Sequence, residues 1–329
     1  MRIALDAMGG DFAPGEIVSG AIQAAEAYPE VEIILVGETE AIKGLGLELP
    51  GNISIQQAGE VIGMDEHPAT AVRKKKDASI VVATRLVKEG TADAVVSAGS
   101  TGAQMAAALF GLGRIKGIER PAIATVLPTA QGGKLVLDVG ANADAKPQHL
   151  YQYGIMGSIY AEKILRIPTP KVALLNIGSE ETKGSELAVA AHELLKQAPI
   201  NFVGNIEGRE VPMGEADVVV CDGFVGNVVL KFAEGLASTL FGMIKEQLTA
   251  SPLRKLGGAL VKPGLKEIAR MLDYAEYGGS PLLGVNGISI VCHGSSKAKA
   301  IKNAVRVAKE CVESGYVELI QANLQEGKA

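Results

Sequence analysis

Lys183 stands in the loop NIGSEETKG (176 to 184), between the apolar run KVALLNIG and a helix-like stretch. A lysine there adds positive charge where the free N–H groups of a helix start already attract anions. Five other loops repeat the pattern of apolar run, polar turn and helix: DAMGGD (6 to 11), SAGSTG (97 to 102), DVGANAD (138 to 144), CDGFVGN (221 to 227) and CHGSS (292 to 296). Glycine lets a backbone approach a ligand closely. Together these residue types can hold a phosphate-like anion. Gly9, Gly10, Gly102 and Gly294 would offer backbone N–H groups, and Ser97, Ser100, Thr101, Ser295 and Ser296 would add hydroxyls.

Other residues are more ambiguous. Asp6, Asp11, Asp138, Asp144 and Asp222 fall near strand ends, yet carboxylates repel phosphate. They orient Lys183 and other donors, bind a metal in a different kind of enzyme, or make Asx turns and helix caps. Asn142 and Asn227 donate hydrogen bonds without that repulsion and suit an anion or a carbonyl. Ser100 or Thr101 also fits a helix cap, a role compatible with anion binding because the two use different N–H groups. Four histidines (67, 149, 192, 293) have no ligand spacing, and His67 and His293 are the candidates for proton transfer. No GxGxxG follows a strand, and GSEETKGS (178 to 185) puts Lys183 before its glycine, unlike a Walker loop. Cys221, Cys292 and Cys311 lack CxxC spacing and read as reduced thiols, with nothing pairing either of the first two with a base for an acyl-cysteine route.

Elements must position these loops. Strands are expected near 2–6, 31–36, 52–57, 92–97, 121–127, 134–139, 171–177, 200–205, 217–221 and 288–292. Helices are expected near 14–28, 77–89, 101–112, 147–166, 184–197, 225–249 and 295–314. Such alternation builds a mostly parallel sheet covered on both faces, a Rossmann-like three-layer αβα fold. Ligands of such sheets bind beyond the carboxyl ends of the strands, so the six loops are expected to converge on one crevice. No linker or repeat divides residues 1–329, which read as one α/β catalytic domain.

Composition excludes several classes. The 329 residues are 47% hydrophobic and 21% charged, enough for a large core, and 40 glycines fit many tight turns. An aromatic fraction of 4%, no Trp and a net charge of −5 disfavour nucleic acid. No signal peptide is expected from MRIALDAMGGD, and no run of about 18 apolar residues predicts a membrane span. One segment differs: residues 251–272 carry five basic groups against one acid, on a chain otherwise acidic. Leu253, Leu256 and Leu260 share a helical spacing, as do Leu265, Ile268 and Leu272, while Gly257, Gly258 and Pro263 interrupt it. A projecting basic amphipathic helical hairpin at about 250–275 is expected, either lying on an anionic bilayer or packed at a core or subunit interface.

The stretches IALDAMGGDFAP, AGSTGA (98–103), ERPAIA (119–124), LDVGANAD (137–144), IGSEETKG (177–184), CDGFVGN, GSPLLGVNG and CHGSS, in this order, resemble the bacterial phosphate acyltransferase family PlsX. The resemblance covers nearly the whole chain. It implies an enzyme that makes acyl phosphate from acyl carrier protein thioesters and inorganic phosphate, early in phospholipid synthesis. It also implies a homodimer, a fold related to the isocitrate and isopropylmalate dehydrogenases, and no metal or organic cofactor. A cytoplasmic protein peripherally attached to the membrane follows, with Leu253, Leu256, Leu260, Val261, Lys255 and Lys262 as the contacts and the downstream glycerol-3-phosphate acyltransferase as a possible partner.

The expected mechanism is direct attack by phosphate, with Lys183, His293 and Asn227 as catalytic residues. Asp6, Gly9, Gly10, Ser97, Ser100, Thr101, Gly102, Asn142, Asp222, Gly294, Ser295 and Ser296 would line the substrate site. Two rivals stand beside it: a metal-dependent decarboxylating dehydrogenase using Asp138, Asp217 and Asp222, and a non-catalytic scaffold that binds the carrier protein through Arg254 and Lys255.

Overall fold

In the computed structural model, residues 1–326 are described. Short apolar runs supply the strands β1 (Arg2–Asp6), β2 (Glu32–Gly37), β3 (Ile53–Gln57), β4 (Ala94–Ser97), β5 (Ala122–Thr129) and β6 (Gly132–Leu137). Five more follow: β7 (Lys171–Asn176), β8 (Asn201–Glu207), β9 (Val218–Val220), β10 (Ser280–Leu283) and β11 (Ile288–Val291). The amino-terminal helices are α1 (Gly15–Ala27), α2 (Thr39–Lys43), α3 (Pro68–Lys74), α4 (Ser79–Lys88), α5 (Thr101–Gly111) and α6 (Pro147–Lys163). After them come α7 (Glu186–Lys196), α8 (Gly223–Thr249), α9 (Pro252–Met271), α10 (Tyr274–Tyr277), α11 (Ala298–Ser314) and α12 (Tyr316–Glu326).

The strands form one sheet in the order β3-β2-β1-β4-β11-β10-β5-β6-β9-β7-β8. Within β3-β2-β1-β4-β11 all neighbours are parallel, as they are within β6-β9-β7-β8. Between these blocks β11–β10, β10–β5 and β5–β6 are antiparallel. Three reversals leave the two blocks running in opposite directions.

Alternation along each strand sends side chains into cores on both faces. Ile3 and Leu5 of β1 join the cluster containing Ile17 and Val18 of α1 and Ile301 of α11, whereas Ala4 joins Ile80 and Val82 of α4 and Ala103 of α5. The three-layer expectation is met in this way. Helices α1 and α11 touch so closely that a Cβ on Gly20 would lie 2.5 Å from Ile301 Cβ. That contact fixes the loops after β1 and β11 relative to one another.

Ten expected strands occur with small shifts of their ends. The eleventh, β10, is a short SPLL run containing a proline, a residue that sheets tolerate poorly, and it is not among the expected strands. Helix geometry also revises two expectations. Residues 252–271 form the single helix α9 with Pro263 inside it, and the projecting hairpin is α8 packed on α9 rather than two short helices within 251–272. Glycines only weaken an exposed helix, and Pro263 removes one hydrogen bond on a helix with no buried residue. Second, α8 is long and apolar enough to cross a membrane, by length and composition, and almost none of its apolar stretch is buried. No uninterrupted apolar run reveals this, because polar residues are spaced along it. Its exposed Phe224, Val228, Phe232, Leu236 and Leu240 recur every fourth residue and form one apolar stripe.

Candidate active site

The loops after β1, β4 and β11 meet at the carboxyl edge of the first block. Asp11 N–H donates to Gly294 O (2.8 Å), joining two of them. Ser97 Oγ donates to Asp6 Oδ2 at 2.6 Å and accepts from Gly99 N at 3.0 Å, joining the other pair. Asp6 and Ser97 are both buried. Gly9 lies so close to this knot that a Cβ would stand 2.6 Å from Asp6 Oδ2, 2.8 Å from Gly99 N and 2.9 Å from Ser97 Oγ. Only glycine fits there. Gly10 has φ +112°, a conformation that side chains disfavour.

Ser100 caps α5 by accepting from Ala103 N (3.4 Å), a bond that uses one of the first-turn N–H groups, and the neighbouring Thr101 is exposed. Gly102 abuts Pro68. Ser295 Oγ and N–H both contact His293 Nδ1, at 2.7 and 3.2 Å, so the imidazole is held against the third loop. Ser296 is buried, and its N–H donates to His293 O. The cleft beside Asp6, Ser97 and Ser100 is walled by Val61, Ile62 and Ser79, none of which stands out in the sequence.

The loops after β6, β7 and β9 lie on the other edge, because their block runs the opposite way. The expectation that all six loops share one crevice is therefore corrected to two groups of three. Asn142 is expected to face an anion, but its amide nitrogen donates to Pro121 O (2.6 Å), Asp138 Oδ2 (3.0 Å) and the Tyr153 hydroxyl (2.9 Å). Its donors are used within the protein. The anion in that nest is Asp138 itself, buried completely, which accepts from the N–H groups of Ile123, Gly140, Ala141 and Asn142 as well. Asp222 is a helix cap, accepting from Phe224 N and Val225 N.

Asn227 is exposed beside Gly140, whose Cβ would lie 3.8 Å from the Asn227 side chain. Lys183 is half exposed and paired with Glu180 at 2.7 Å, with its carbonyl held by Asn176 Nδ2. Within one chain, neither Lys183 nor Asn227 shares an edge with the Gly9, Ser97 and Gly294 loops. Asp217 accepts from Lys134 Nζ at 2.6 Å, so the three aspartates of the dehydrogenase reading do not gather.

Residues 1–319 match a family model described as "Fatty acid synthesis protein". A phosphate acyltransferase of Desulfitobacterium hafniense is 69% identical over 327 residues, covering 98% of both chains. One from Heliobacterium modesticaldum is 63% identical, again over 98% of both. The chain belongs to the phosphate acyltransferase family. Among solved structures, a phosphotransacetylase from Streptococcus pyogenes superposes with TM-score 0.65 at 19% identity, covering 95% of this chain and 94% of that one. A putative 4-hydroxythreonine-4-phosphate dehydrogenase from Salmonella typhimurium gives 0.53 at 14% identity, covering 94% and 99%. These two likenesses show the fold.

A phosphate acyltransferase needs donors for an oxyanion, and backbone N–H groups and hydroxyls are gathered at the β1/β4/β11 edge. Thiols are a poor alternative. Burial pushes Cys221 well above its usual value and Cys292 and Cys311 up to about 12, so none is poised as a nucleophile.

Burial also pushes the Asp6 carboxyl above its usual range, against the hydrogen bonds from Ser79, Ser97, Met8 and Gly9. The folded phosphate acyltransferase thus holds a proton there where the unfolded chain has lost it. Stability from this group is fully present below the unfolded value of 3.8 and is lost as pH rises through the folded one. As the solution is acidified from neutral toward 3.8, the urea midpoint of wild type is expected to gain on that of Asp6→Asn. A constant gap would rule this out.

Proposed function

We propose that this acyltransferase takes its acyl group from an acyl carrier protein thioester and passes it to inorganic phosphate, giving acyl phosphate and free carrier protein. The observation that carries this reading is the meeting of three Gly/Ser loops at one helix start, around Gly9, Ser97, Ser100 and Gly294. Backbone N–H groups and hydroxyls there suit a dianion that must be held, not activated, since phosphate is already nucleophilic at neutral pH. A phosphate oxygen attacks the thioester carbonyl, and the carbonyl oxygen takes up negative charge among preorganised donors. The C–S bond then breaks, and the departing thiolate takes a proton from His293.

A homodimer fits the exposed apolar stripe of α8, which begins beside Asn227 on the edge that carries Lys183. Because Lys183 is remote from the loops of its own chain that hold phosphate, its charge serves this reaction from the second copy. The scheme is direct, with no acyl-enzyme and no cofactor. Purified protein incubated with acyl carrier protein thioester and labelled phosphate is expected to yield an acyl hydroxamate on trapping with hydroxylamine. Lys183→Ala is expected to lower the rate by about a hundredfold, as removal of an oxyanion donor does. No hydroxamate above the enzyme-free control would end the reading.

Peripheral membrane attachment in the cytoplasm completes the proposal, placing the product near the downstream glycerol-3-phosphate acyltransferase. Support comes from α9, whose Leu253, Leu256, Leu260 and Val261 are exposed beside Lys255 and Lys262. Leucines on such a helix would sit at the acyl boundary with the lysines toward headgroups. Wild type is expected to float with anionic liposomes, whereas the doubly substituted Leu256→Glu, Leu260→Glu protein stays in the bottom fraction. Equal flotation of the two folded proteins would refute the attachment.

A further inference from the structure

Residues 59–77 form a wall of the phosphate-holding cleft and also carry the run VRKKK (72–76). Val61 and Ile62 line the cleft, and Pro68 at the start of α3 lies against Gly102. The run divides by direction. Lys75 turns inward, giving hydrogen bonds to Val61 O (2.8 Å) and Glu66 Oε1 (2.7 Å), and so ties the wall to the helix. Arg73, Lys74 and Lys76 are exposed.

Three of the four acids of the same segment are engaged within it, the exception being the exposed Asp65, whereas Lys74 and Lys76 are not. Asp77 accepts from Gly59 N, Glu60 accepts from Asp77 N, and Glu66 is taken by Lys75. Lys74 and Lys76 make no ion pair among the described residues, on a chain whose net charge is −5. Arg73 lies over the exposed ring of Phe110, 4.7 Å from its centroid, so an aromatic surface adjoins the charge. Cations at the end of α3 complement its dipole, but that effect fades beyond the last turn and leaves Lys76 without a purpose.

We infer that Arg73, Lys74 and Lys76, with Phe110, form the docking surface for the acidic face of the acyl carrier protein. This rests on the proposed function and supplies the partner surface it lacks. Helix α3 runs beside α5 from Pro68 at Gly102 to Arg73 at Phe110, so the patch and the cleft mouth are ends of one path. From Thr101 to Phe110 that path is about 13 Å at 1.5 Å per residue. A carrier held at the basic end can extend its prosthetic arm along the α3–α5 seam and present the thioester at Ser100. Charge complementarity at such a surface governs encounter and weakens with salt.

The deciding experiment varies the carrier thioester against wild type and a Lys74→Glu, Lys76→Glu protein, whose altered residues lack ion pairs to disturb. The KM for the carrier thioester is expected to rise at least tenfold, while kcat and the KM for phosphate stay within twofold. Wild-type KM is expected to climb with added salt and the variant's to stay level. Titrating holo carrier protein into each should show the same loss of affinity without turnover. If wild type makes no acyl phosphate, the proposed function fails, and this titration still decides the docking surface. Unchanged carrier affinity in the lysine variant overturns the inference. So does unchanged affinity with lost flotation on phosphatidylglycerol vesicles, which would assign the patch to a lipid surface.

Discussion

Gly9→Ala is expected to reduce kcat/KM for phosphate by about a hundredfold while the protein still unfolds cooperatively, because displacing reacting groups by roughly an ångström costs that much. The new Cβ would meet Asp6 Oδ2, Gly99 N and Ser97 Oγ, all within 2.9 Å. No flexible tip can yield: Asp6 and Ser97 are buried and bonded to one another, and Gly99 N is backbone. The β1 and β4 loops must therefore separate, and the phosphate donors separate with them. Gly15→Ala provides the contrast. Its Cβ would meet nothing within 4 Å, so the rate should stay at the wild-type level. Steady-state rates at varied phosphate compare the two, and a Gly9→Ala enzyme as fast as Gly15→Ala would remove the β1/β4 junction from the site.

How far the sequence anticipates this architecture depends on the range of each interaction. Strand cores such as IAL in β1, AVV in β4 and VAL in β7 are buried on both faces, so they are apolar and visible as strands. Helix α1 shows its face by spacing alone, and the Gly/Ser loops mark strand ends because tight turns need those residues. What fails is direction. Whether Lys183 and Gly9 share an edge depends on β10, a four-residue strand containing proline, and on the turn between β5 and β6 at Gly132. The pair of glycines between two apolar runs is a hairpin signal, but its effect on distant loops follows only from the completed sheet order. Asn142 shows a second limit. Its amide suits phosphate chemically, yet Asp138, Pro121 and Tyr153 claim it, and a competition among buried partners leaves no trace in spacing.

That competition makes Asp138→Ala the largest expected loss of stability, about 3–5 kcal/mol, the range for removing one partner from a buried charged network. The carboxylate accepts four backbone N–H groups and the Asn142 amide, and it is inaccessible to solvent. Burial pushes its pKa up, which shows that ionised Asp138 bears a desolvation cost, and alanine relieves that cost. The five donors are not relieved. The Ile123 N–H is left buried without an acceptor, the Gly140, Ala141 and Asn142 N–H groups lose theirs at the partly open rim, and an unsatisfied buried group typically costs about 1–3 kcal/mol before water enters. Loss should spread along two paths: through Ile123 into β5, and through the Gly223 N–H to Asn142 O bond into the start of α8. Urea unfolding should show the lowered midpoint, and hydrogen exchange should show Ile123 and Gly223 losing protection ahead of β1 and β4. Asp138→Asn keeps the shape but turns an NH2 group toward N–H donors, so it should recover only part of the loss. Full stability in that variant would mean that the nest needs an oxygen but no charge, and would remove the electrostatic part of this account.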